Sequence, residues 1–103
     1  MDAYILIPVD ADNGMDSKIV PLVEVKTWAI VEFTEGKAKS VVFYKDRTES
    51  GIEWIDFVVL NNKFENYIDF MNDGMMCLVK RKEETIEEII SAFAFKELDE
   101  IGL

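Results

Sequence analysis

The sequence predicts an α/β fold with five strands and two helices. Its earliest apolar run, residues 3–9, is almost uniformly apolar, as is typical of a strand covered on both faces. Farther along, two segments repeat apolar residues with the period of a helix, and each follows a short apolar run. The predicted order is therefore three strands, followed by strand, helix, strand and helix.

The other four strands are predicted from short runs rich in β-branched, aromatic and other apolar residues. They cover residues 27–33, 39–44, 57–60 and 75–79. The sequence Thr-Glu-Gly-Lys joins the second strand to the third. A hairpin is expected there because Gly36 can adopt positive φ.

The first helix is predicted from apolar spacing and from a stop signal. Phe64, Tyr67, Ile68 and Met71 recur at i, i+3, i+4 and i+7. The Asn-Asp-Gly sequence at residues 72–74 then provides a C-terminal stop.

The second helix has the same spacing and a defined start. Its apolar positions are Ile86, Ile89, Ile90 and Phe93. Thr85 with Glu88 three residues later forms a capping box, and the neighbouring glutamates favour the positive end of the helix dipole. Residues 96–103 carry neither pattern and are expected to form a frayed tail.

Composition limits the classes of function. The 103-residue chain is 50% hydrophobic, which suits one compact domain over residues 1–103. The net charge of −10 repels phosphate backbones, so nucleic acid is not an expected partner. No apolar run approaches the roughly 20 residues that cross a membrane. A single cysteine and the lack of a signal-peptide pattern predict a cytoplasmic protein.

A loop rich in side-chain oxygens follows the first strand. The run Tyr-Ile-Leu-Ile-Pro-Val stops at Asp10, and residues 11–17 read Ala-Asp-Asn-Gly-Met-Asp-Ser. This pattern, Ile-Pro-Val-Asp and then Asp, Gly and Asp-Ser, resembles the start of the dinitrogenase iron-molybdenum cofactor family. These small domains are linked to carriage and assembly of the nitrogenase cofactor. The resemblance extends over nearly the whole chain, including the closing helix at residues 84–93.

The resemblance implies a ribonuclease H-like fold, with a five-stranded mixed sheet in the order 3-2-1-4-5. The family has a full helix between strands three and four, whereas residues 45–56 leave room for about one helical turn. The first helix of the family is therefore expected to be truncated. The link must cover about 23 Å, which this segment can span at about 3.3 Å per residue.

The resemblance also implies a non-enzymatic role in binding or carrying a metallocluster, of the iron-molybdenum or iron-sulfur type, or another small ligand. The implied site lies at the carboxyl ends of strands one and four, where open α/β sheets commonly bind ligands. Its candidate residues are Asp10, Asp12, Ser17, Asn61 and Asn62.

The chain departs from the family at this site. Relatives carry a histidine in the loop that corresponds to residues 18–26, and this chain has no histidine. Relatives also turn through a glycine-rich segment after strand four, whereas residues 61–64 read Asn-Asn-Lys-Phe. Asparagine tolerates left-handed backbone, so the turn itself is compatible with the sequence.

Two other metal chemistries are disfavoured. In an EF-hand counted from Asp10, the glycine and bidentate glutamate positions hold Met15 and Pro21. A polar turn that bonds to its own backbone is the favoured interpretation of this loop. A two-metal nuclease needs several carboxylates converging on the central strands, and only Asp10 and Asp56 lie at the ends of strands one and four.

Cys77, a soft metal ligand, is the one cysteine in the chain. Its apolar neighbours predict a buried thiol with a raised pKa. Met75 lies on the same face of the strand and could join Cys77 at a metal, whereas Met76 lies on the other. Core packing is the favoured role.

The short link at residues 45–56 suggests a partner surface. It leaves one sheet face with little helical cover, near which Trp28, Phe43, Ile52 and Trp54 are expected. A homodimer would bury such an apolar patch. The alternative is that Ile52 and Trp54 fold over the face as a plug.

A second functional hypothesis follows from these departures: a degenerate relative that acts as a protein-interaction or regulatory module without a metal site. Its surface would be the thinly covered face or the edge at Lys80, Arg81 and Lys82, which could also be a solvated strand end. An enzyme is not expected. Without histidine there is no Ser/His/Asp or Cys/His set, and no phosphate-binding glycine motif is present.

Overall fold

A mixed sheet runs through the centre of the molecule. A computed structural model describes residues 2–101, over which six strands lie in the order β3-β2-β1-β4-β5-β6. The strands are β1 Ala3–Val9, β2 Thr27–Thr34, β3 Lys37–Tyr44, β4 Phe57–Leu60, β5 Met76–Val79 and β6 Asp99–Glu100. The helices are α1 Ile68–Asn72 and α2 Ile86–Ala94, and short 3-10 turns occur at Gly14–Asp16 and Leu22–Glu24.

Strand β1 is the central strand, as its apolar sequence predicts. It pairs antiparallel with β2 and parallel with β4, and Ile5, Leu6 and Ile7 have no exposed surface. The predicted order of the first five strands is confirmed. The hairpin between β2 and β3 is confirmed as well, with Glu35 at φ 53° and Gly36 at φ 82°, the pair of positive values that a tight hairpin turn uses.

Each face of the sheet carries its own apolar cluster. On the first, which we call the α2 face, Ile5, Ile7 and Val31 pack with Ile86 and Ile89 of α2. On the second, which we call the loop-covered face, the buried residues are Leu6, Ile30, Ile55, Val58, Leu60, Phe70, Met75 and Cys77. Burial on both sides explains why β1 has no polar alternation.

The loop-covered face is covered by α1 and by the short connection between β3 and β4. The connection, residues 45–56, consists of turns and extended chain without a helix, so the truncation expected from the sequence is confirmed. Trp28 and Ile52 pack on this face, and the guanidinium carbon of Arg47 lies 4.6 Å from the ring centre of Phe70. Trp54 is 59% exposed.

The prediction for Phe43 is wrong, because this residue packs on the α2 face. Side chains alternate along a strand, and Phe43 pairs with Ala29, whereas its neighbour Tyr44 pairs with Trp28. Tyr44 and Trp28 therefore share the loop-covered face. Phe43 cannot contribute to a dimer through that face.

Helix α1 is shorter than its apolar spacing predicts, since it begins only at Ile68. Phe64 lies before the helix and is 85% exposed, while the buried residue of α1 is Phe70. Side chains compete with the helix here: Asn62 Oδ1 accepts the Phe64 N–H at 2.9 Å, and Asn66 Oδ1 accepts the Ile68 N–H at 3.2 Å. The predicted stop is confirmed, with Gly74 at φ 88°.

The tail also differs from the prediction. Residues 99–100 form β6, which pairs antiparallel with β5, and Arg81 Nη2 lies 2.8 Å from Asp99 Oδ1. Ile101 extends this edge by donating its N–H to the Cys77 carbonyl at 2.8 Å. The expected frayed end at residues 102–103 lies outside the described residues.

Helix α2 begins at the predicted capping box. Glu88 N–H donates to Thr85 Oγ1 at 3.2 Å, and Thr85 N–H donates to Glu88 Oε1 at 3.1 Å. We expect Thr85→Ala to lower the free energy of unfolding by about 1 kcal/mol, measured by urea titration, because the first turn loses an acceptor. Glu87→Gln, in the same turn, is the control and should change stability much less.

The capping box of Thr85 and Glu88 also predicts that the stability of the protein depends on pH. The backbone N–H groups of Glu84 and Thr85 hold the pKa of Glu88 below its usual value. Its contribution to stability is therefore present above about pH 4.5 and is lost as the pH falls through the lowered pKa. The difference in stability between the protein and Glu88→Gln should shrink as the pH falls through this range, and a constant difference would contradict the assignment.

Candidate functional site

The loop after β1 closes on itself through Asp10. Its N–H donates to the Lys18 carbonyl at 3.0 Å, and its Oδ1 accepts the Lys18 N–H at 3.1 Å. Both Asp10 and Asp12 are exposed. The loop is thus a polar turn in which Asp10 bonds to backbone, as the favoured interpretation of its sequence predicts.

Ser17 has a structural place in this loop. It is 1% exposed, and its Oγ accepts the Asn13 N–H at 2.8 Å. Its carbonyl accepts the Ile86 N–H at 3.0 Å, which ties the loop to the first turn of α2. The buried hydroxyl is therefore used within the fold and does not face an open site.

The turn after β4 contains a residue that the sequence analysis missed, Glu65. Its Oε2 accepts the N–H groups of Asn61 at 2.9 Å and Asn62 at 3.1 Å, and its Oε1 accepts the N–H of Leu22. Three backbone donors from two loops thus converge on one carboxylate at the carboxyl edge of the sheet. We call this group of three donors the amide cradle. A sequence signal was present, since Asn62 and Glu65 have the spacing of a capping box.

The five predicted site residues therefore fall into two groups. Asp10, Asp12 and Ser17 belong to a loop tied to α2, whereas Asn61 and Asn62 contribute backbone N–H groups to the amide cradle. No side-chain hydrogen bond within residues 2–101 joins the two groups. Instead, the Glu65 carboxylate connects the turn after β4 to the second half of the β1–β2 connection, because its Oε1 accepts the Leu22 N–H.

Two exposed apolar side chains lie next to the amide cradle in sequence. Val23 follows Leu22 and is 93% exposed, and Phe64 precedes Glu65 and is 85% exposed. The Lys63 ammonium lies 5.4 Å from the centre of the Phe64 ring. The edge thus presents apolar surface and a cation beside an occupied anion position.

The side chains described do not form a preformed metal site. Within residues 2–101, no three His, Cys, Asp or Glu side chains are placed to hold one ion. Cys77 is 1% exposed and shares the loop-covered face with Met75, as predicted, while Met76 is 46% exposed. The residues at the carboxyl edge therefore do not fit direct ligation of a metallocluster, and backbone N–H groups are what the edge provides.

The environment of Cys77 predicts low thiol reactivity. Burial raises the pKa of the thiol, and the thiolate is the reactive form. In the folded protein at pH 8, we expect alkylation by iodoacetamide to be at least tenfold slower than for a free thiol, with full reactivity in urea. Intact-mass spectrometry measures both rates. Rapid modification of the folded protein would show that Cys77 is accessible.

The basic edge at residues 80–82 is partly engaged. Arg81 donates through Nε at 3.1 Å and Nη2 at 2.8 Å to Asp99 Oδ1, and this contact raises the pKa of the guanidinium. Arg81 N–H also donates to the buried Glu83 carboxylate at 2.8 Å. Arg81 thus helps hold β6 against β5. Within the described part of the chain, no helix is long and apolar enough to cross a membrane.

Comparison with known proteins identifies related folds. No family model and no curated protein matches the sequence. An NMR structure of a provisionally named dinitrogenase from Methanococcus jannaschii is 22% identical, with a TM-score of 0.76 over 100% of this chain and 96% of that one. A crystal structure of the same protein, with its source written Methanocaldococcus jannaschii, is 19% identical, with a TM-score of 0.73 over 99% of this chain and 97% of that one.

A third solved structure agrees with these. A provisionally named NifB protein of the DUF35 family from Thermotoga is 19% identical, with a TM-score of 0.68 over 95% of this chain and 92% of that one. At such identities the similarity shows the fold. The chain is a small α/β domain with the fold of these proteins, and over residues 2–101 its sheet has six strands where the sequence predicts five.

Proposed function

We propose that this chain is a non-enzymatic cytoplasmic binding domain that takes a small anionic ligand at the carboxyl ends of β1 and β4. The observation that supports the proposal is the amide cradle, where the N–H groups of Leu22, Asn61 and Asn62 already hold one anion, the Glu65 carboxylate. Backbone N–H groups bind oxyanions without any basic side chain. Molybdate, an oxyanion, belongs to the ligand class that this chemistry accepts, whereas a metallocluster would need direct ligands that the described residues of this edge do not provide.

In this proposal the ligand competes with Glu65. Glu65 lies three residues before α1, in a turn whose other side-chain contacts are local asparagine bonds, so the Glu65 side chain can leave the cradle without disturbing a strand. Asp10 and Asp12 are exposed, so salt in the surrounding water screens their repulsion of an anion that they do not contact. The attraction of the cradle donors, which contact the ligand directly, outweighs this repulsion.

Native mass spectrometry of anaerobically purified protein tests the proposal. The protein is offered iron, sulfide and molybdate, alongside Glu65→Gln and the control Glu53→Gln, which alters an exposed carboxylate. We expect the protein and the control to gain the mass of a bound molybdate ion, and Glu65→Gln to gain it at lower molybdate concentrations. Bare masses for all three would contradict ligand carriage.

A second candidate function is favoured by one observation, the occupation of the cradle by the chain's own carboxylate. If Glu65 permanently replaces the ligand, the domain is a protein-interaction module with no metal site, and the loop-covered face is its surface. Trp54 and Val42 are 59% and 46% exposed, and Val42 lines a groove of about 170 Å³ with Ile30 and Ile52 on this face. A second copy of the chain is the proposed partner.

Light scattering across a concentration series tests this candidate. A homodimer through the loop-covered face should dissociate in Trp54→Ser, whereas Phe95→Ser, which removes an apolar side chain that is 74% exposed, should leave it intact. A monomer at all concentrations would contradict self-association.

The strand pairing supports assignment of the sheet to the ribonuclease H-like type. Strands β3, β2 and β1 pair antiparallel, whereas β1, β4 and β5 pair parallel.

A further inference from the structure

An apolar pocket of about 520 Å³ lies at the opposite edge of the sheet from the amide cradle. It is lined by Phe57 and Met76, the first residues of β4 and β5, and by Phe33 near the end of β2. The parallel strands begin at this edge and end at the cradle. The pocket is therefore independent of the site proposed above.

The floor of the pocket is aromatic and apolar. The Phe93 ring from α2 packs edge-on against Phe33 at 5.0 Å and against Phe57 at 4.9 Å between centroids. Leu78 and Leu98 complete the apolar lining. Sites for small molecules are typically concave, mostly apolar and within a few hundred Å³ of this size, with a few polar groups that orient the ligand. A flat protein interface would need a much larger surface.

A strained lysine lies at the rim. Lys96 follows α2 with φ 58°, and Lys96 N–H donates to the Phe93 carbonyl at 3.1 Å while Glu97 N–H donates to the Ala92 carbonyl at 2.8 Å. This is a Schellman motif, in which the left-handed position normally holds glycine. Lysine there destabilises the backbone relative to glycine. An unfavourable residue at a pocket rim suggests a role for its side chain.

We propose that this pocket binds an amphipathic monocarboxylate, with the apolar chain among Phe33, Phe57 and Phe93 and the carboxylate on the Lys96 ammonium. Lys96 is the only cation among the described residues that line the pocket. Glu100 also lines it and disfavours a second negative charge, so a single anionic head fits better than a dicarboxylate.

Calorimetric titration with decanoate, decanol and decylamine tests the ligand class. The order of affinity should be decanoate, then decanol, then decylamine, with decanoate at least tenfold tighter than decylamine. Amide shifts in ¹⁵N NMR spectra should cluster at Gly36, Ala94 and Leu98, which line the pocket. Absence of binding, tighter binding of decylamine, or shifts confined to Trp54 and Ile52 would overturn the proposal. So would oligomerisation that shifts the same pocket amides without ligand.

Variants of Lys96 separate a binding role from a structural one. Lys96→Gly should raise Tm by about 5 °C, because glycine suits the left-handed position, and should weaken decanoate binding at least tenfold. Glu100→Gln should bind decanoate as tightly as the unaltered protein or more tightly. A Lys96→Gly protein that is more stable and still binds decanoate with unchanged affinity would overturn the assignment of Lys96.

Discussion

Replacing Glu65 with alanine is expected to lower the free energy of unfolding by about 2 kcal/mol, a large share of the stability of a small domain. The carboxylate accepts three backbone N–H groups and joins the Leu22 turn to the turn after β4. Removing it leaves these donors without their acceptor in a partly buried position. Glu65→Gln keeps one oxygen acceptor and should lose about half as much.

The anion-binding interpretation adds a result that simple loss of a contact does not predict. Phosphate or molybdate should restore stability to Glu65→Ala, because an anion that binds only the folded form stabilises it in proportion to the logarithm of its concentration. The unaltered protein should respond less, since its cradle is occupied. Chloride at matched ionic strength and Glu53→Gln serve as controls.

Thermal unfolding with increasing phosphate measures this difference. A rise in Tm for Glu65→Ala that exceeds the rise for the unaltered protein indicates a vacated anion site. Equal responses in both proteins would show that the cradle has no affinity for oxyanions and that Glu65 only joins the Leu22 turn to the turn after β4. In that case the second candidate function, an interaction module, would be favoured.

The contrast between helix α1 and strand β1 explains which features could be predicted from the sequence. Residues 3–9 have one interpretation because they are buried on both faces, and the observed strand matches that range. The spacing of Phe64, Tyr67 and Ile68 has two interpretations, because local asparagine bonds compete with helix formation. Periodicity reports where apolar residues recur, and it does not report the outcome of that competition.

Two other differences between the predicted and the observed structure, at β6 and at Phe43, have separate causes. Strand β6 has two exposed acidic residues, and its pairing depends on the preceding turn and on Arg81, so no apolar pattern marks it. The face of Phe43, by contrast, is set by a register shift in the β2–β3 ladder between Glu32 and Phe33. The register at the hairpin end, Thr34 with Lys37 and Phe33 with Ala38, would pair Phe43 with Trp28 if it continued unbroken, whereas the shift pairs Phe43 with Ala29. At the site, the place of Asn61 and Asn62 after β4 predicts their position, and the capping-box spacing marks Glu65 as their local acceptor. Only the bond from Leu22 to Glu65 depends on a tertiary contact, which the sequence does not reveal.

Truncating a buried isoleucine of β1 or β2 is expected to lower stability by different amounts on the two faces of the sheet. Ile7→Ala on the α2 face should lower the free energy of unfolding by about 4 kcal/mol. Ile7 has no exposed surface and lies in one cluster with Ile86 and Ile89 of α2. A helix anchored by a capping box cannot move far into the cavity, so the loss should lie near the upper end of the usual range.

Ile30→Ala on the loop-covered face should cost less, about 2.5 kcal/mol, although Ile30 is only 3% exposed. Ile30 lines the groove of about 170 Å³ with Tyr4 and Ile52, and the connection above it has no helix. That cover can relax toward the vacated volume, which reduces the cavity. The cost of truncating a buried side chain depends on how far its surroundings collapse.

Urea unfolding followed by tryptophan fluorescence measures both losses, with Val23→Ala as the control because Val23 is 93% exposed. Equal m values for all variants would allow the midpoints to be compared as stabilities. A loss for Ile30→Ala as large as that for Ile7→Ala would mean that residues 45–56 hold the loop-covered face as firmly as α2 holds the other. The short connection would then be a rigid cover, and the case for a partner on that face would weaken.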